Sequence, residues 1–98
     1  MNIEPSSEPQ WTLLTNHAHV LLGLAREPDI RQVELAATIG VRERTVNRII
    51  TELEAAGYIT RERMGRTLRY TVNREAPLRQ QGINGTVGDL LRLIGDVE

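Results

Sequence analysis

Residues 32–50, QVELAATIGVRERTVNRII, decide the fold. Apolar residues recur at the spacing with which two short helices pack across each other: Leu35, Ile39, Val41, Val46 and Ile49. Ala36 is small where the two helices must approach closely. Gly40 lies between them, where a turn favours a residue that adopts positive φ easily. The stretch therefore predicts a helix-turn-helix, in which the second helix can enter the major groove of DNA.

Three helices are expected around this motif. The first spans about residues 16–26 and is capped by Thr15 or Asn16. Its apolar stripe is wide, which indicates burial on more than one side. The second spans about 32–39 and the third about 43–56, where Gly57 ends it as a left-handed cap.

The residues that follow predict a β-hairpin and a last short helix. Residues 58–63 and 67–72 alternate in polarity around a glycine-containing turn at 64–66, which is typical of a hairpin. Residues 86–89, TVGD, fit a capping box. The helix that starts there is about ten residues long, too short to be stable alone. It must pack against its own domain or against a second copy.

The order of three helices and a hairpin is that of a winged helix, a mainly α (α+β) fold. Over residues 16–73 the chain resembles the MarR-like and ArsR-like winged-helix regulators. The resemblance is carried by ELA at 34–36, IGV at 39–41, TVNR at 45–48, LEAAGYI at 53–59 and RMGR at 63–66. It implies DNA binding by dimers joined through their terminal helices, with an effector of unknown identity as a further partner. Arg42 departs from the pattern, since many relatives have a capping Ser or Thr there.

The resemblance and the composition together suggest three regions. We expect a flexible acidic arm over residues 1–10, a winged-helix DNA-binding domain over 11–74, and a linker with a C-terminal helix over 75–98 as a candidate dimerisation element. The N-terminus lacks the basic and apolar pattern of a signal peptide, and no apolar run is long enough to span a membrane. Cysteine is absent, which excludes disulfides and suits a reducing cytoplasm.

The charge is unevenly distributed. The 98 residues carry a net charge of −1, but residues 42–74 hold eight arginines against four glutamates. Both flanks are acidic. Since the local field steers a polyanion more than the total charge does, this distribution favours DNA as the partner.

The candidate DNA-binding residues lie on the third helix and the hairpin. Arg44 or Arg48 could bind guanine and Asn47 could bind adenine, while the hairpin arginines would grip phosphate or the minor groove. The full set is Arg42, Arg44, Thr45, Asn47, Arg48, Arg61, Arg63, Arg66 and Arg69. The alternatives are a merely solvated helix face and a hairpin protected from aggregation by its charge.

A second set of apolar residues is expected to join two copies: Trp11, Leu14, Val20, Leu24, Leu90, Leu91 and Ile94. Trp11 could instead pack in the core or line a ligand pocket. His17 and His19 point apart on a helix, so no metal site is expected. No catalytic constellation occurs, so we expect neither an enzyme nor a cofactor.

These features predict a sequence-specific regulator of transcription that binds double-stranded DNA as a homodimer and acts as a repressor. One alternative is a winged helix that serves as a protein-interaction module of a larger assembly. Another is an architectural DNA binder without an effector, which would bind random duplexes with equal affinity.

Overall fold

Four helices and one antiparallel hairpin follow one another in the predicted order. The structure is a computed structural model that describes residues 13–79 and 82–94. Its elements are α1 (Asn16–Arg26), α2 (Gln32–Ile39), α3 (Glu43–Ala55), β1 (Ile59–Met64), β2 (Thr67–Val72) and α4 (Val87–Leu93). The winged-helix fold class is thereby confirmed. The expected arm over residues 1–10 lies outside the described residues.

Helix α1 is the central element of the core. Its first turn is capped by Thr15, whose Oγ1 accepts a hydrogen bond from the Ala18 N–H at 3.3 Å. Val20, Leu21 and Leu24 are buried, as the wide apolar stripe predicts. The helix contacts α2, α3 and β2, so its burial on more than one side is also confirmed.

The helix-turn-helix forms as its sequence predicts. Gly40 has a φ of 89° and ends α2 in the left-handed conformation. The N–H groups of Gly40 and Val41 both donate to the carbonyl of Ala36, at 2.8 and 3.0 Å. Helix α3 then buries one face against the core through Val46, Ile49, Ile50 and Leu53.

The hairpin forms the wing, and its register is regular from Ile59 opposite Val72 to Met64 opposite Thr67. Strand β1 ends one residue later than expected, so the turn contains only residues 65 and 66. Tyr70 is buried, and its N–H donates to the carbonyl of Pro28 at 2.9 Å. This bond attaches the loop between α1 and α2 to the wing, which the sequence did not indicate.

Helix α4 packs against its own domain. Val87 and Leu91 are each 1% exposed within the core of the single chain. The N–H of Val87 donates to the carbonyl of Ala76 at 2.9 Å, and the N–H of Gly88 donates to that of Arg74 at 2.8 Å. The predicted capping box is confirmed, with Thr86 and Asp89 each accepting the other's backbone N–H. Among the described helices, none is long and apolar enough to cross a membrane.

Candidate nucleic-acid interface

The outer face of α3 is polar and accessible. Arg44, Asn47, Arg48 and Thr51 recur at the spacing of one helical face and are all exposed, opposite the buried stripe. Thr45 is half-buried at the edge of this face. The structure therefore places the predicted base-contacting side chains of α3 on one side, where a DNA groove can meet them.

The two helices of the helix-turn-helix begin without side-chain caps. Arg31 precedes α2 and Arg42 precedes α3, and neither side chain caps its helix in the described part of the chain. By contrast, Thr15 caps α1 and Thr86 caps α4. The first amides of α2 and α3 thus remain available, and helix N-termini attract phosphate through such amides and the helix dipole.

A cleft of about 290 Å³ joins the wing to the starts of these two helices. Arg63 and Arg66 line it from the wing, Glu43 from the start of α3, and Arg31 and Gln32 from the start of α2. Two of the four predicted wing arginines therefore lie beside the first turn of the predicted recognition helix. The contributions of Arg31 and Gln32 were not predicted, because only the fold brings the start of α2 next to the wing.

The predicted arginines differ in whether they already have a partner. Within the described residues, one group forms no ion pair and no side-chain hydrogen bond: Arg42, Arg44, Arg63 and Arg66. A second group is paired: Arg48 with Glu52 at 3.2 Å, Arg61 with Glu54 at 3.0 Å and Arg69 with Asp29 at 2.9 Å. All the guanidinium donors of the first group are available to DNA, whereas some of those of the second group are already engaged by a carboxylate.

Two of the paired arginines hold the wing in place. Arg69 donates from Nε and Nη2 to the two carboxylate oxygens of Asp29, at 2.9 and 3.2 Å. The hydrogen bonds from Arg69 hold the pKa of Asp29 below its ordinary value. Arg61 donates to Glu54 and so connects β1 to α3. Both arginines were predicted to bind DNA, Arg61 through phosphate, and their observed contacts position the wing relative to the helices.

Glu52 connects the recognition face to α1. Its carboxylate lies 2.7 Å from His17 Nε2 and accepts hydrogen bonds from Arg48 Nη1. The hydrogen bond with His17, and then those from Arg48, hold the pKa of Glu52 below its ordinary value. Glu52 therefore engages one of the terminal amino groups of Arg48 and fixes that side chain on the recognition face.

The apolar residues that were expected to join two copies differ in their burial. Val20, Leu24 and Leu91 lie inside the core of one chain and offer no surface to a second copy. Leu14, Leu90 and Ile94 are half-buried, and Trp11 lies outside the described residues. Leu13 and Leu93 are 88% and 82% exposed, which makes them accessible apolar side chains that the sequence prediction missed.

A helix-turn-helix with a free polar recognition face and an arginine-bearing wing defines a winged-helix DNA-binding protein. Comparison with known families agrees, since the profile of the MarR family matches residues 11–69. The chain belongs to the MarR family, whose members are DNA-binding regulators of transcription without enzymatic activity. No curated protein matches the chain.

Proposed function

We propose that this MarR-family protein recognises a specific double-stranded DNA sequence as a homodimer and represses transcription there. The cleft that places Arg63 and Arg66 beside the start of α3 supports this proposal most directly. With this geometry, α3 can enter a major groove while the wing reaches the neighbouring backbone or minor groove.

Base reading is assigned to the outer face of α3. Arg44 is free and exposed, so it can donate two hydrogen bonds to a guanine, and Asn47 can pair with an adenine. Arg63 and Arg66 bind phosphates or enter the minor groove. Arg42 and the uncapped amides of α3 bind phosphates. A good bidentate base contact discriminates by about 1–3 kcal/mol.

Homodimer formation is assigned to the outer side of α4. Leu93 is 82% exposed and Ile94 follows it, half-buried, at the end of the helix. Two copies related by a two-fold axis would double the number of bases read and would match a palindromic site. Repression requires nothing further, since a dimer bound across a promoter blocks access by polymerase.

The proposal is tested by selecting from a random-duplex pool with purified protein at two salt concentrations. We expect an enriched palindromic motif whose binding weakens as salt rises. The triple variant Arg44→Ala, Arg48→Ala and Arg66→Ala should lose binding while its circular dichroism is unchanged. Arg26→Ala is the matched control, since this exposed arginine at the end of α1 lies outside the candidate interface, and it should retain binding. Retention of duplexes without enrichment would indicate the architectural binder.

The alternative of a protein-interaction winged helix is favoured by the acidic flanks of the sequence. No retention of duplexes even at low salt would support it and contradict the DNA-binding proposal. Light scattering tests the dimer separately. We expect the mass of a dimer for the wild-type protein and that of a monomer for Leu93→Asp. A monomer mass of the wild-type protein at all concentrations would contradict the proposed homodimer.

A further inference from the structure

An apolar groove lies on the side of the molecule formed by the start of α1, the end of α3 and the tail. Its volume is about 540 Å³. Apolar side chains supply most of the lining, among them Leu14, Leu21, Leu53, Tyr58, Ile83 and Leu90. Thr15, His17 and Arg79 are the polar residues around it.

The groove leaves apolar surface in contact with water. Ile83 is 49% exposed and Leu13 is 88% exposed, although both lie at this groove. Removing such surface from water is favourable, so an apolar group within reach would be stabilised by binding in the groove.

The groove begins where the described chain begins. Leu13 and Leu14 belong to its lining, and Trp11 stands two residues before Leu13. Two residues of extended chain span about 7 Å, so the groove is within reach of a side chain at position 11. Trp11 is the only tryptophan of the chain, and no other large aromatic residue precedes α1.

We propose that the groove is the binding site for the Trp11 side chain of the same chain. An indole combines a large apolar surface with one polar N–H, which suits an apolar groove with polar groups at its rim. A group tethered by two residues is present at an effective concentration of about millimolar or more. A second copy of the protein must compete at its much lower bulk concentration. The proposal is independent of DNA binding, because it depends only on the groove and on its distance from Trp11.

Trp11 fluorescence tests this directly, because no other tryptophan contributes. In the full-length protein, emission should be blue-shifted relative to N-acetyltryptophanamide, with an acrylamide quenching constant several-fold lower. Both signals should be independent of protein concentration, including concentrations at which light scattering shows a monomer. Emission and quenching like those of the free compound would overturn the proposal. If Trp11 becomes protected from acrylamide only at concentrations at which dimers form, the proposal is overturned, because a second copy of the protein then covers the indole.

A matched pair of variants assigns the signal to the groove. Ile83→Glu places a charge in the groove at a residue that is 49% exposed, so the fold should tolerate it. Val33→Glu is the control, since Val33 is also 49% exposed but does not line the groove. We expect red-shifted, quenchable emission for Ile83→Glu alone, with both circular dichroism spectra unchanged. Protection that is equal in both variants would contradict the proposed site.

Discussion

At the scale of single residues, the fold divides the arginines proposed to bind DNA into unpaired residues and residues held by carboxylates. Arg69 is paired with Asp29, forty residues earlier in the chain, through a hydrogen bond that crosses from the wing to the loop after α1. The concentration of arginine over residues 42–74 indicates a candidate interface in that region. It could not predict the partners, since a pair between distant segments exists only once the chain has folded.

Gly23 is a second residue whose importance depends on the fold. A Cβ at this position would overlap Cδ1 of Leu35, which is itself 1% exposed. Helix propensity favours alanine over glycine by about 1 kcal/mol, whereas overpacking a core costs about 1–3 kcal/mol. Leu35 is packed in the core and would have to move to make room, so the clash should dominate. We predict that Gly23→Ala lowers the free energy of unfolding in a chemical denaturation experiment.

The companion variant for this prediction is Gly23→Ala combined with Leu35→Ala. Removing the leucine side chain relieves the clash, so the double variant should lose less stability than the sum of the two single variants. Strict additivity would mean that Gly23 and Leu35 do not meet as described.

At the scale of elements, the absence of a cap on α3 connects stability to function. Arg42 occupies the N-cap position without capping the helix. A serine at an N-cap is worth about 1 kcal/mol relative to a residue that does not cap. We predict that Arg42→Ser raises the free energy of unfolding by about 1 kcal/mol and weakens DNA binding, since it removes a cation and occupies an amide.

Arg42→Ala separates these two effects. It removes the same cation without providing a cap, so it should weaken DNA binding without the gain in stability. The measurements are denaturant titration and binding to the selected duplex. Equal stability of the serine and alanine variants would contradict the capping argument.

Helix α4 makes stability depend on pH through its capping box. The backbone N–H of Thr86 donates to the carboxylate of Asp89 at 3.0 Å. This bond lowers the pKa of Asp89 below its ordinary value of 3.8, and the Thr86 hydroxyl and then Arg92 lower it further. Because the pKa of Asp89 is lower in the folded protein than in the unfolded chain, its charge stabilises the fold at pH values above the ordinary pKa. This stabilisation is lost as the pH falls through the pKa of the folded state. Wild type should therefore exceed Asp89→Asn in stability at neutral pH.

This difference should disappear in acid. Chemical denaturation of both proteins from pH 7 to pH 3 measures it, and the two curves should converge as pH falls below about 3.8. Asparagine is the suitable substitution because it keeps the size of the side chain and removes only the charge. A constant difference across this range would show that the carboxylate charge has no part in the cap.

At the scale of the whole molecule, periodicity and turn chemistry predicted most of the fold. The buried stripe of α3 and the glycine at 40 predicted the helix-turn-helix, and the glycine at 57 predicted the end of α3, because these signals are local. Contacts between distant segments were not predicted, such as the bond from Tyr70 to Pro28. For the same reason Val20 and Leu91 were expected at a dimer surface, although both lie in the core of one chain.

The salt dependence of DNA binding should distinguish the unpaired wing arginines from those that are held by carboxylates. Each phosphate contact contributes about 0.9 to the slope of log K against log salt concentration. Arg66 is free at the wing tip, so Arg66→Gln should reduce the slope by about 0.9. Arg69 is held by Asp29. Arg69→Gln should therefore weaken binding by displacing the wing while the slope stays the same. A slope reduced equally by both substitutions would mean that Arg69 leaves Asp29 and binds a phosphate in the complex.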